Sequence, residues 1–168
     1  MDKRKNEFLE LVNQNTNIIH KVCNIYCYKR DYWEDTYQEI IYNLWKSYPS
    51  FRQEAQFSTW MYRVALNTAL SINRKEARNP LTGRTENHEK YYSPEDADSI
   101  DENIDMLYRA IDTLRKLDKA IVLLWLEKKS YAEISSITGL TESNISVKLV
   151  RIKEKLRSTL SNGIELNE

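Results

Sequence analysis

The stretch SYAEISSITGLTESNISVKLVRIKEKLR, residues 130–157, indicates how the C-terminal part of this chain folds. Ser130 and Glu133 have the spacing of a capping box, which predicts the start of a two-turn helix. Gly139 follows where a tight turn between helices needs a positive φ, and Thr141 can cap the next helix. Together these signals predict a helix-turn-helix, a motif whose second helix enters the major groove of DNA.

The second helix of this motif is predicted to have two different faces. Ile145 and Leu149 belong to an apolar stripe. The other side carries mostly short polar or basic residues: Ser143, Asn144, Val147, Lys148 and Arg151. Residues 128–157 contain seven Lys or Arg against three Glu, a net charge of +4 that suits contacts with phosphates. An alternative stays open here, in which Gly139 only ends one helix of an ordinary helical bundle.

The charge of the chain is unevenly distributed, although it sums to zero. Residues 1–78 hold 12 basic against 9 acidic residues and residues 106–168 hold 11 against 8, so each carries +3. Residues 79–105 hold 2 against 8, which gives −6, and they contain two of the three Pro. Because this stretch also shows no helical period, a flexible, mostly extended acidic linker is expected there. It would join two small helical domains, residues 1–78 and 106–168.

Three helices are predicted in the N-terminal domain. Apolar residues recur at three- and four-residue steps over residues 8–28, which indicates one amphipathic helix. A second is expected to start at Asp31, where Asp31 and Glu34 have capping-box spacing, and to end at Pro49. A third is expected to begin with Ser58 as its cap. The second helix has a polar face made of Asp35, Gln38, Glu39 and Asn43.

Aromatic and basic residues crowd the region around the third helix. The aromatic residues are Phe51, Phe57, Trp60 and Tyr62. Basic and polar residues recur on the helix opposite its apolar stripe, at Arg63, Asn67, Ser71, Arg74 and Arg78. Such a surface can contact phosphates, offer an Asn amide to a base edge and stack unpaired bases. The alternative, which the residues alone favour, is that the rings are core and the Arg face is only solvated.

The composition excludes several classes of protein. Gly and Pro together make up only 6 of 168 residues, which disfavours an all-β fold and favours an all-α one. Two Cys and no long apolar run indicate a reduced, soluble, cytoplasmic protein without signal peptide or membrane insertion. His20, Cys23 and Cys27 share a helical face, but a structural zinc site needs four ligands, so neither a metal nor another cofactor is expected. No catalytic set of side chains is recognisable, and the protein is expected not to be an enzyme.

These residues carry a family resemblance. The chain resembles a bacterial RNA polymerase sigma factor of the extracytoplasmic-function (ECF) class, in the sigma-70 superfamily. The stretch WEDTYQEIIYNLWKSYPSFRQEAQFSTWMYRVALNTALSINRK is similar to region 2 of that family, and residues 107–157 are similar to its region 4. The resemblance implies a transcription initiation factor that binds core RNA polymerase, recognises the −35 and −10 promoter elements and stabilises the opened −10 strand.

The resemblance also implies roles for individual residues. The clamp helices of the largest polymerase subunit would bind Asp35, Gln38, Glu39 and Asn43. The −10 element would be contacted by Phe51, Phe57, Trp60, Arg63, Asn67, Ser71 and Arg74, with the loop around Phe57 capturing a flipped base. The −35 element would be contacted by Ser143, Asn144, Ser146, Val147, Lys148 and Arg151. Ser135 stands where the family usually has Ala, and Ser146-Val147-Lys148 replaces the usual Lys/Arg-Ser-Arg run. The −35 preference of the family therefore does not transfer to this chain.

Further partners follow only from the resemblance. The region 4-like domain would contact the polymerase flap, the acidic linker would run towards the RNA exit path, and an anti-sigma factor would hold the protein inactive. A rival hypothesis is a helix-turn-helix repressor or activator whose N-terminal helices sense a ligand or dimerise. A third is a helical adaptor without any DNA role. A repressor would bind duplex DNA unaided, whereas a sigma factor needs core polymerase.

Overall fold

The regular structure of the chain is helical throughout the part that the structure describes. The computed structural model describes residues 2–78 and 90–165. The chain divides into two compact units, Met1–Tyr92 and Ser93–Glu168. The all-α prediction is confirmed, and none of the described helices has the length and apolar character needed to cross a membrane.

The first unit is built from four helices around one core. They are α1 (Asp2–Gln14), α2 (Thr16–Tyr26), α3 (Arg30–Ser47) and α4 (Phe57–Ala77), with a short 3-10 helix at Tyr48–Ser50. Helices α2 and α3 both pack on α4. Ile19, Ile40, Leu44, Met61 and Ala65 are fully buried between them. Each of the four larger side chains stabilises the fold by about 1.5–3 kcal/mol when it is fully buried, so the packing of α2 and α3 fixes the position of α4.

The first predicted helix is in fact two helices. The apolar period continues across residues 8–28, but the backbone leaves the helix at Asn15, where φ is −123° and ψ is 17°. The Asn15 amide donates to the Leu11 carbonyl at 2.8 Å, and the Thr16 hydroxyl donates to the Val12 carbonyl at 3.2 Å. Short polar side chains that bond the backbone compete with helix continuation, which accounts for the break.

The predicted caps of α3 and α4 are wrong. Helix α3 starts at Arg30, so Asp31 lies within its first turn and caps nothing, while the Glu34 carboxylate accepts from Arg30 Nε at 2.9 Å. Helix α4 starts at Phe57 after Gln56, without a side-chain cap, and Ser58 is its second residue. Neither of these two helices has a side chain that caps its first N–H groups.

Residues 90–105 differ from the extended linker predicted over residues 79–105. The Tyr91 N–H donates to the Tyr28 carbonyl at 3.0 Å, and the Lys90 ammonium lies 4.7 Å from the centre of the Tyr28 ring. Two helices begin farther along, α5 (Pro94–Ala97) and α6 (Glu102–Asp112). Residues 79–89 of the predicted linker lie outside the described residues.

The second unit holds the predicted two-helix motif. After α5 and α6 come α7 (Lys116–Leu126), α8 (Tyr131–Thr138) and α9 (Glu142–Glu165). Helices α6, α7 and α8 all pack against α9. Ile121, Leu124, Ile134, Ile145 and Leu149 form the centre of this small core. Helix α9 therefore has one covered side and one side left to solvent.

Candidate functional site

The joint between α8 and α9 is held by hydrogen bonds between residues close in sequence. The Ser130 hydroxyl accepts from the Glu133 N–H at 3.1 Å, and the Glu133 carboxylate accepts from the Ser130 N–H at 2.8 Å. That backbone bond is the main reason why the pKa of Glu133 lies below its ordinary value of 4.5. Gly139 has φ +77°, and the Thr141 hydroxyl accepts from the Asn144 N–H at 3.2 Å. The predicted helix-turn-helix is confirmed.

Ser135 contributes a bond that the sequence did not indicate. Its hydroxyl donates to the Leu140 carbonyl at 2.6 Å, while its own carbonyl accepts from the Gly139 N–H at 2.8 Å. Ser135 thus holds the turn at two points, through its side-chain hydroxyl and through its backbone carbonyl.

The residues predicted to contact the −35 element lie at the start of α9, on the side opposite its core. Ser143, Asn144, Val147 and Arg151 are exposed, whereas Ser146 is half-buried. Ile145 and Leu149, between them in sequence, are at most 1% exposed. The structure therefore gathers the exposed members of the set on one surface.

Lys148 has a partner that the sequence did not reveal. Its ammonium donates to the Asp118 carboxylate on α7 at 3.1 Å, and 37% of the Lys148 side chain is exposed. The bond holds the ammonium beside α7, where the Asp118 carboxylate offsets its positive charge. The two residues are 30 positions apart, so no local pattern could have indicated the pair.

The predicted basic stripe of α4 is exposed along its length. Arg63, Asn67, Ser71 and Arg74 all face solvent. The opposite side of the helix is core, as shown by Met61, Ala65 and Ala69, which are 0% exposed. The helical period alone thus identified which side of α4 can meet a ligand.

Phe51, Phe57 and Trp60 form one aromatic cluster. The ring centres are 5.0 Å apart for Phe51 and Trp60, 5.4 Å for Phe57 and Trp60, and 5.6 Å for Phe51 and Phe57. All three rings are half-buried, and Tyr48 supports them from beneath at 6.3–6.5 Å. Tyr62 is only 2% exposed and belongs to the core. Rings in this arrangement both stabilise the unit and present partly free faces on which bases can stack.

The polar face of α3 is mostly free to meet a partner. Asp35, Gln38 and Glu39 are exposed, and Asn43 is half-buried. The Asn43 amide donates to Glu39 at 3.2 Å and to the Thr68 hydroxyl on α4 at 3.3 Å. Asn43 therefore links α3 to α4 in addition to any contact with a partner. Its bond to Thr68 spans 25 positions and has no signal in the sequence.

His20, Cys23 and Cys27 are buried on α2 and at its end. The His20 ring lies 5.4 Å from Trp33 and 5.7 Å from Tyr37, and the Cys27 thiol donates to the Thr36 hydroxyl at 3.4 Å. A hydrogen bond with Cys23 lowers the pKa of Cys27. Among the described residues, no three His, Cys, Asp or Glu side chains are grouped as a metal ion would need.

Two family models match the chain. The first is Sigma-70 region 2, over residues 11–79, and the second is Sigma-70, region 4, over residues 104–156. The first match contains α3, the aromatic cluster and α4. The second contains the joint between α8 and α9.

Curated relatives of the chain agree with these two matches. The chain is similar to the ECF RNA polymerase sigma-E factor of Haemophilus influenzae, at 28% identity over 93% of this chain and 88% of that protein. It is similar to the sigma-E factor of Escherichia coli, at 28% identity over 73% of this chain and 70% of that protein.

Two solved structures share the fold. One is the sigma factor RpoE in complex with the anti-sigma factor NepR from Bartonella quintana, with a TM-score of 0.72 at 18% identity over 96% of this chain and 98% of that one. The other is CnrH in complex with the cytosolic domain of CnrY, with a TM-score of 0.65 at 15% identity over 94% and 90%.

Proposed function

This chain belongs to the sigma-70 family of bacterial RNA polymerase sigma factors, in its ECF class. We propose that it uses three exposed surfaces, one for core polymerase, one for the −10 element and one for the −35 element. A sigma factor is a non-enzymatic initiation factor that binds core polymerase and directs it to promoters. The first surface is the polar face of α3, the second is the α4 stripe with the aromatic cluster, and the third is the exposed start of α9.

The polar face of α3 binds the clamp helices of the largest polymerase subunit. Asp35 and Glu39 are four residues apart on one exposed side, and Gln38 lies beside them. Two carboxylates at this spacing suit a basic partner surface, where charge complementarity speeds association and excludes wrong partners. The bond from Asn43 to Thr68 fixes this face relative to α4.

The α4 stripe and the aromatic cluster hold the −10 element, with residues 1–78 acting as the region 2 domain. Arg63 and Arg74 lie where they can contact phosphates, and the Asn67 amide offers one donor group and one acceptor to an adenine edge. Phe51, Phe57 and Trp60 supply faces for unpaired bases of the opened strand.

The start of α9 contacts the −35 element as duplex DNA, with residues 106–168 acting as the region 4 domain, which also contacts the flap. Ser143, Asn144 and Arg151 are the exposed groups able to form hydrogen bonds there. The first turn of a recognition helix is the part that reaches base edges. Lys148 contributes less than its charge suggests because Asp118 already accepts from it.

One observation carries this assignment. On α3, α4 and α9, nearly all the polar residues that resemble sigma contact positions are exposed, and the opposite sides form the two cores. We further propose that the protein acts in the cytoplasm, where core polymerase is found, and that an anti-sigma factor binds it. The solved complexes that share its fold support the second point.

The test is co-purification with core polymerase followed by run-off transcription from a randomised promoter library. The variant Asp35→Arg/Glu39→Arg should lose core binding by roughly tenfold or more, because it places two cations against a basic surface. Glu10→Arg/Glu102→Arg makes the same change in total charge at two other exposed glutamates and should behave as wild type. If the wild-type protein does not bind core polymerase but binds duplex DNA unaided, the chain acts as an ordinary DNA-binding regulator instead.

A further inference from the structure

A short strap, residues 90–92, lies on the turn between α2 and α3 of the first unit. The Tyr91 N–H donates to the Tyr28 carbonyl at 3.0 Å. The Lys90 ammonium lies 4.7 Å from the centre of the Tyr28 ring, and Lys90 is only 4% exposed. Lysine is almost never buried to this extent unless its ammonium has a partner, and an aromatic face is one. The strap is therefore packed against the first unit.

The Tyr91 ring contacts an aromatic side chain of the first unit. Its centre lies 5.9 Å from that of Trp33, edge to face at 75°. Trp33 is well supported, because its indole Nε1 donates to the Asn24 side chain at 2.8 Å and its ring stacks on Tyr37 at 5.4 Å. Edge-to-face pairs stabilise a contact beyond the apolar surface that they bury. A backbone bond, a ring contact and a buried ammonium thus hold the strap in place.

The docked strap shortens the part of the chain that joins the two units. Helix α6 of the second unit begins at Glu102, ten residues after Tyr92. Ten residues span at most about 36 Å when they are fully extended. If the strap leaves the first unit, the tether runs from Ala77 at the end of α4, 25 residues before Glu102. Its upper limit is then about 90 Å, so release more than doubles the reach.

The two promoter elements proposed for these units are far apart. Their names place them about 25 base pairs from each other, which is roughly 85 Å along duplex DNA at about 3.4 Å per base pair. A tether of at most about 36 Å covers less than half of that distance, whereas one of about 90 Å covers all of it. Simultaneous contact with both elements therefore favours the released strap.

We propose that the docked strap is the resting position of the linker, and that it leaves Trp33 when both units contact their promoter elements. The contacts of Lys90 and Tyr91 then oppose initiation, because they are lost when the tether lengthens. A protein whose competent state is only partly populated binds with an apparent affinity reduced by that fraction. This inference rests on the proposed function, because only separate elements for the two units require the longer tether.

The test compares three side chains at position 91. Tyr91→Ala removes the ring from Trp33 but keeps the backbone N–H that bonds Tyr28, whereas Tyr91→Phe keeps the ring as well. Wild type and each variant are titrated into core polymerase. Run-off transcription from a promoter with both elements gives the concentration of the chain needed for half of the maximum.

We expect Tyr91→Ala to reach half of the maximum at a roughly two- to tenfold lower concentration than wild type, the factor that one aromatic pair contributes. Tyr91→Phe should stay within about twofold of wild type. A contact that only stabilises the fold would have the opposite effect, so an unchanged or higher concentration for Tyr91→Ala would overturn the proposal. If wild type supports no transcription with core polymerase, it is the proposed function that fails, so the two failures are distinguishable.

Photocrosslinking follows the strap without removing its ring. Tyr91 is replaced by benzoylphenylalanine, and the chain is irradiated free and in holoenzyme on promoter DNA. In the free chain the label should lie on residues 24–37, and on the promoter it should move to polymerase or DNA. A label that stays on residues 24–37 in both states would contradict release. A label absent from those residues in the free chain would contradict docking.

Discussion

The starts of α9 and α4 both carry surfaces that we propose contact DNA, yet the chain holds them in different ways. At the α8–α9 joint, the capping and turn hydrogen bonds join residues at most five positions apart, from the Ser130–Glu133 box to the Ser135–Leu140 bond. The start of α4 has no side-chain cap. It is positioned by rings from Tyr48 to Trp60 and by the burial of Met61 and Ala65 against α2 and α3.

This difference separates two ways of placing a helix that is proposed to contact DNA. The turn between α8 and α9 is closed by hydrogen bonds between near neighbours, in addition to the packing of both helices on α7. A helix start that is held by packing, without a cap, forms only when the unit around it is folded. A mutation in the core of the first unit should therefore displace α4 and its aromatic cluster while leaving the α8–α9 joint intact.

The largest expected effect comes from Leu44→Ala, in the core under α4. Leu44 is 0% exposed, and deleting such a side chain costs about 2–5 kcal/mol. Hydrogen exchange should show lost protection through α2, α3 and α4 and unchanged protection in α8 and α9. Tyr42→Ala is the control on the same helix, since Tyr42 is 56% exposed, and it should change stability by less than about 0.5 kcal/mol. Equal loss of protection in both units would contradict the proposed difference between α4 and the α8–α9 joint.

The next effect is Gly139→Ala at the turn of the α8–α9 joint. A Cβ there meets nothing within 4 Å, so the whole cost is that of holding φ at +77°. That cost is about 1–2 kcal/mol for an L-residue. Gly139→Asn should cost less, because Asn tolerates this conformation better. Urea unfolding of the second unit measures the free energy lost in each variant. If Gly139→Asn is less stable than Gly139→Ala, the loss does not come from the backbone conformation at this position.

A matched pair of serines tests the caps directly. Ser130→Ala removes an observed cap and should cost about 1 kcal/mol in the second unit. Ser58 was predicted to cap α4 but makes no capping bond. Ser58→Ala should therefore change the free energy of unfolding of the first unit by less than about 0.5 kcal/mol. Both free energies of unfolding come from the same urea titration, followed by exchange in each unit. Comparable losses at the two serines would mean that α4 is also held by local bonds.

The smallest effect is a pH dependence confined to the α8–α9 joint. Folding lowers the pKa of Glu133 below 4.5, chiefly through the Ser130 N–H, so the bond stabilises α8 fully above that pH. The stabilisation is lost as the pH falls through the folded pKa. Amide protection in α8 should therefore decrease on acidification, and Glu133→Gln should be less dependent on pH over the same interval. A Glu133→Gln variant with the same acid profile as wild type would assign the loss to another group.

The features predicted correctly from the sequence are those that depend on residues close together in the chain. The capping box, Gly139 and the Thr141 cap each need only a few adjacent residues, and all three are found as predicted. The exposed side of α4 followed from the helical period, because Met61 and Ala65 can be buried only if Arg63 and Asn67 are not.

Most of the remainder depends on contacts between distant residues. A capping-box spacing at Asp31 did not place the start of α3, because the packed helix begins one residue earlier and Glu34 pairs with Arg30. The bonds from Asn43 to Thr68 and from Lys148 to Asp118 join residues 25 and 30 positions apart.

The division of labour between the two units can be measured in one selection. Holoenzymes containing wild type, Asn67→Ala or Asn144→Ala transcribe a promoter library randomised at both elements, and the transcribed sequences are counted. We predict that Asn67→Ala loses about 1–3 kcal/mol of discrimination at one −10 position only, and that Asn144→Ala does so at the −35 element only. Equal losses on matched and scrambled promoters, or changes in both elements from either variant, would contradict the account.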